Sequence, residues 1–125
     1  MPAIEQNKAL AKRFIEEVWN QGRLEVADEL LHPNLITHDA DGGVTKGRDA
    51  FKRFISDFRA ANRGLHFSVE DQLGEGSEVA TRVTIKSDKT NLTGIGIVRI
   101  ADGRIVEQWA DTDPLRASAK SAAFG

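Results

Sequence analysis

Near the end of this chain, Glu107, Trp109, Asp111 and Asp113 follow Ile105 at every second position. A regular extended strand would put all five side chains on one face. If that face looks into an apolar cavity, the carboxyls lose hydration and their pKa rises toward neutrality. A group tuned in this way can take a proton and return it. Asp113 and Asp111 are therefore rival candidates for acid/base work, and such a site needs neither metal nor cofactor. The alternative is that both are solvated at the strand end, with Asp113-Pro114 forming a turn.

Of the three histidines, His38 ends a short extended segment, and its near-neutral pKa makes it a candidate proton partner. His66 shares a strand face with Ser68 and Glu70, opposite Leu65, Phe67 and Val69, which suits a surface or interface. His32 precedes Pro33 and reads as part of a helix end. None of the histidines forms a close pair at ligand spacing, so we expect no metal site. Arg82 lies mid-strand between Ala80 and Thr84. A buried arginine there needs a carboxylate and would orient Asp111 or Asp113, whereas on the outer face it would be exposed. With no cysteine in the chain, disulfides and thiolate chemistry are excluded.

Three helices and four long strands must position these residues. Leu10, Ala11, Phe14, Ile15, Val18 and Trp19 recur at helical spacing from Ile4 to Trp19. Leu24, Ala27, Leu30 and Leu31 mark a second helix, closed by His32-Pro33. Asn34–His38 reads as extended, and Asp39–Gly43 as a loop. A third helix, from about Gly47 to Asn62, carries the stripe Phe51, Phe54, Ile55 and Phe58. After Gly64 the period becomes two, giving strands at Leu65–Glu70, Val79–Lys86, about Asn91–Ala101 and Arg104–Thr112. Helices first and strands last predict an α+β domain, with the helices on one face of a curved antiparallel meander. Gly94 and Gly96 signal a bend or the close approach of a neighbour such as Trp109. A two-residue Asp102-Gly103 turn would set Gly96 opposite Trp109, and a bulge would shift that pairing.

The 125 residues suit a single domain spanning the chain. Net charge is −2, with lysines and arginines scattered among acids, so nucleic acid is not an expected partner. The start Met1-Pro2-Ala3-Ile4-Glu5 has neither a basic leader nor an apolar stretch. We therefore expect no membrane span and a cytoplasmic location.

Gly47-Arg48-Asp49-Ala50-Phe51, Leu65-His66-Phe67-Ser68-Val69-Glu70-Asp71 and Ala101-Asp102-Gly103-Arg104-Ile105-Val106-Glu107-Gln108-Trp109 together resemble a SnoaL-like polyketide cyclase domain. The resemblance runs from about Asn7 to Leu115 and includes the His38-Asp39 pair. It implies the cone-shaped, nuclear transport factor two-like (cystatin-like) roll, in which helices and curved sheet enclose an apolar cavity. This fold is shared with ketosteroid isomerase, scytalone dehydratase and limonene epoxide hydrolase. The resemblance further implies Asp113 as acid/base for aldol cyclisation or isomerisation, with Asp111 its rival and His38 as helper at the cavity mouth. Trp109, Trp19, Phe14, Phe54 and Arg82 are the candidate ligand contacts. The implied partners are a small apolar carbonyl compound and a second copy of the chain in a homodimer. A non-catalytic ligand-binding or interaction protein of the same fold is the alternative, since one fold hosts many functions. Similar chains commonly carry a longer connection between the middle strands, where this one has only Ser87–Asn91.

Overall fold

The computed structural model describes residues 3–39 and 41–114, with the backbone alone at 113 and 114. The elements in chain order are α1 (Ala3–Arg13), a π-helical segment (Phe14–Asn20), α2 (Leu24–Leu30), β1 (Leu31–His38), β2 (Val44–Lys46), α3 (Arg48–Ala61), β3 (His66–Glu75), β4 (Glu78–Lys86), β5 (Asn91–Ala101) and β6 (Arg104–Pro114). The α+β class and the order of three helices and four long strands agree with the sequence pattern.

Three features differ. The first helix widens to π geometry at Phe14, which keeps Phe14, Val18 and Trp19 all buried against the sheet. Apolar spacing alone does not separate α from π over so short a run. His32-Pro33 lies at the start of a strand instead of ending a helix, and Val44–Lys46, between the expected loop and the third helix, pairs as β2. The six strands run β2-β1-β6-β5-β4-β3, and β1 lies parallel to β6. The sheet is thus mixed, not wholly antiparallel, because β6, from the far end of the chain, comes back alongside β1 in the same direction. Among the described residues no helix is long and apolar enough to cross a membrane.

The core lies between the helices and one face of the sheet. Val79, Val83 and Ile85 of β4, Val98 and Ile100 of β5, and Ile105 of β6 point toward the helices. Leu35, Phe51 and Ile55 close the layer from β1 and α3. Two polar clamps fix the end of the π-helical segment. Asn20 donates Nδ2–H to Phe67 O (2.9 Å) and accepts from Phe67 N (2.7 Å), so a side chain completes the edge of β3. The Arg59 guanidinium on α3 donates to the backbone carbonyls of Trp19 and Asn20.

Candidate functional site

A hollow of about 570 Å³ remains between the two layers. Its roof is aromatic: Phe14 and Trp19 from the first helical stretch, and Phe51, Phe54 and Phe58 from α3. Trp19 stacks on Phe67 of β3 at 4.7 Å and meets Phe51, Phe54 and Phe58 edge-on at 5.9–6.3 Å. Phe54 is 52% exposed and marks an open side. The candidates Trp19, Phe14 and Phe54 all line this space.

The floor explains why the space exists. On the inner face, Gly94 pairs with Thr112 and Gly96 with Ala110, so adjacent rungs of β5 and β6 carry little or no side chain. At Gly94 the small residue is needed for packing, since a Cβ would sit 3.1 Å from Thr112 Cγ2 and 3.3 Å from the Asp111 carbonyl. At Gly96 a Cβ would meet nothing nearer than the Trp109 carbonyl at 3.7 Å. Packing does not demand glycine there; the missing side chain leaves room in the hollow.

The C-terminal strand corrects the expected site. Asp102 and Gly103, both at positive φ, make the two-residue turn, and Ala101 pairs with Arg104. A bulge then intervenes: Ile100 pairs with Ile105, but Arg99 pairs with Glu107. One added residue reverses the alternation. Ile105 is buried among the core, whereas Glu107, Trp109 and Asp111 stand on the outer face, opposite Arg99, Ile97 and Ile95. Gly96 therefore faces Ala110, not Trp109. The expectation that Trp109 walls the cavity is overturned, since its indole lies against His38 on the outer face. Arg82 is corrected as well: it is exposed on that face and donates through Nε and Nη2 to Asp71, not to Asp111. Asp111 is exposed at the rim, where the hollow meets a shallow outer groove. Asp113 pairs with Thr93 in the ladder, and its side chain lies outside the described residues.

In place of those inward carboxylates the hollow has Gln108, Ala110 and Thr112 from β6, Thr37 from β1 and Thr81 from β4. The sequence signal for them was the alternation itself, read one residue out of phase.

His38 belongs to both surfaces. It lines the mouth of the hollow, stacks on Trp109 at 5.0 Å with rings 2° from parallel, and places Nε2 2.7 Å from Glu107 Oε2. Glu107 also accepts from Arg99 at 2.9 Å. The hydrogen bonds from His38, then from Arg99, hold the Glu107 carboxyl below the usual carboxylate range. An ionised carboxylate only accepts, so Nε2 carries the proton and the other ring nitrogen is left for base duty in the neutral imidazole.

Because the folded pKa of Glu107 lies below its unfolded value, its stabilising effect is complete above the unfolded pKa and is lost as pH falls through the folded one. Glu107→Gln is therefore expected to flatten the acid limb of a Tm-against-pH curve. A limb identical to that of the wild type would show that Glu107 carries none of the acid sensitivity. Among the described residues no group of three or more acids and histidines is placed to hold a metal ion.

The fold has close counterparts. A candidate SnoaL-like polyketide cyclase from Jannaschia sp. CCS1 superposes with a TM-score of 0.84 at 19% identity, covering 90% of this chain and 89% of that one. IdmH, a candidate polyketide cyclase from Streptomyces antibioticus, superposes with a TM-score of 0.80 at 23% identity over 86% and 92%. A candidate ketosteroid isomerase from Kribbella flavida gives 0.80 at 19% identity over 90% and 82%. At these identities the likeness establishes a common fold. No curated protein matches the chain in sequence. The model of the SnoaL-like polyketide cyclases matches residues 9–119, nearly the whole length. With helices over one face of the sheet and a hollow between the two layers, that match places the chain in the SnoaL-like polyketide cyclase family.

Proposed function

We propose that this chain binds a small, largely apolar carbonyl compound in the hollow between helices and sheet. The observation that carries the reading is the hollow itself: about 570 Å³ under an aromatic roof, kept open by a glycine that packing does not require. In a Trp109→Phe chain, Trp19 is the sole remaining tryptophan, and it faces the proposed ligand. Titration with 2-acetylnaphthalene is expected to quench Trp19 emission saturably. A linear, non-saturating response up to the solubility limit would remove the reading.

A second reading, proton transfer at the mouth, is favoured by the His38–Glu107 hydrogen bond. In it, His38 takes a proton from the carbon beside the ligand carbonyl, and the enolate regains it at another carbon or closes on a second carbonyl. Asp111 or Asp113 supplies a proton to the oxygen, that of the enolate or of the new alkoxide, and regains it from His38 or when the enol returns to ketone. The chain is then expected to speed deuterium exchange of the acetyl protons of 2-acetylnaphthalene, read by NMR. His38→Gln should slow that exchange by roughly a hundredfold, and Asp113→Asn should do so if Asp113 is the partner. Exchange no faster than in buffer leaves binding as the whole activity.

The outer face, with Ile95 52%, Ile97 37% and Leu73 76% exposed, supports a homodimer, which sedimentation velocity reads as twice the 13.7 kDa chain mass.

A further inference from the structure

The hollow has polar groups of one kind only in its depth. Apart from His38, Asp39, Asp41 and Asp111, its lining holds no ionisable side chain among the described residues. Asp39, Asp41 and Asp111 are exposed and His38 is half-buried, which puts all four at the mouth. Thr112 of the floor is exposed, and deeper in three neutral hydrogen-bonding groups share the sheet. Thr37 and Gln108 are register partners across the parallel β1–β6 pair, so they stand side by side. Thr81 lies on β4 beyond Gly96, whose missing side chain leaves nothing between it and β6.

Their hydrogen-bonding states differ in a useful way. The Thr37 hydroxyl, in a residue 5% exposed, has no partner among the described residues. One staggered step about its Cα–Cβ bond exchanges hydroxyl for methyl or hydrogen, so it can be presented to a guest. Thr81 Oγ1 accepts from Gln72 Nε2 at 3.2 Å, which leaves its own O–H to donate. Gln108 offers two N–H donors and one carbonyl acceptor. A guest that fills the hollow expels water, and the groups it covers must find partners on the guest. Each of the three can donate a hydrogen bond, so an acceptor oxygen on the guest can be met by any of them. A carboxylate guest would find no Lys or Arg among the described lining residues and three like charges at the entrance.

We propose that Gln108, with Thr37 and Thr81, selects what the hollow holds: an uncharged ligand whose carbonyl or ether oxygen is directed at the β1–β6 floor, its apolar body lying under the Phe and Trp roof. This rests on the binding function proposed above and adds the residues that recognise the oxygen and the charge that is refused.

Three probes of nearly equal shape test it on the wild-type chain by calorimetry: 2-acetylnaphthalene, its hydrocarbon isostere 2-isopropenylnaphthalene, and the anion 2-naphthoate. The ketone is expected to bind roughly tenfold more tightly than the alkene, and the anion at least about tenfold more weakly than the ketone. Gln108→Met, which keeps length and volume, should erase most of the ketone preference and leave alkene affinity unchanged. Thr37→Val should do the same to a smaller degree. Equal affinity for ketone and alkene overturns the assignment while leaving the hollow a binding site. So does a ketone preference that survives in the Gln108→Met, Thr37→Val double variant. Naphthoate as the tightest ligand overturns the charge selection. Binding of none of the three overturns the underlying function along with the assignment.

Discussion

A Gly96→Phe chain is expected to fold as the wild type does and yet lose affinity for 2-acetylnaphthalene by about thirtyfold, equivalent to about 2 kcal/mol of apolar contact. The inner face of β5 is the reason. A Cβ at Gly96 meets only the Trp109 carbonyl at 3.7 Å, an ordinary contact, so the new ring projects into the hollow and occupies the ligand's place. An aromatic residue in a strand interior is also better accommodated than glycine, so Tm should hold or rise. Gly94 is the internal control. Valine there must push aside the Thr112 methyl and the Asp111 carbonyl, at a cost of about 1–3 kcal/mol. A Gly96→Phe chain that is stable and binds the probe undiminished would mean that the ligand sits elsewhere.

Asn20→Ala is expected to destabilise the chain by about 2 kcal/mol and to lower its urea midpoint with little change in slope. The side chain bonds both backbone groups of Phe67, acting as one more residue of strand on the outer edge of β3. Its loss strands a donor and an acceptor that are only partly reachable by water. It also loosens the attachment that holds Trp19 flat against Phe67, so weaker probe binding should accompany the lower midpoint. Asn20→Asp, which keeps the acceptor and loses the donor, should recover part of the stability. A midpoint within about 0.5 kcal/mol of the wild type in Asn20→Ala would show that water replaces the clamp without penalty.

Local periodicity carried most of the fold. The stripes Phe14-Val18 and Phe51-Ile55-Phe58, and the alternation in Val79–Ile85, are each read within one element, so the helices and long strands were legible in the sequence. The parallel pairing of β1 with β6 joins residues 31–38 to 105–109 and leaves no local trace. The widening at Phe14 is silent too, because a seven-residue run shows too few turns to fix its period. At the site, the helical residues Phe14, Trp19 and Phe54 were legible because a stripe on a helix over a sheet has only one place to go. Trp109 and Asp111 were not, because a strand's parity depends on every residue between it and the turn. Ile105 and Val106 are both β-branched and apolar, and either fits the core, so composition could not show which one was supernumerary. Glycine, normally a reason to suspect a bend, turned out at Gly96 to mark vacant volume.

That supernumerary residue also sets how this scaffold can change over generations. Because everything beyond it on β6 depends on its presence, loss of Val106 from the gene would exchange the two sides of the strand at a stroke. Trp109 and Asp111 would turn under the helices, and Gln108 and Ala110 would turn outward. A lineage built on this architecture can thus trade a neutral chamber for an acidic one through a single three-nucleotide deletion, with no substitution at any lining residue.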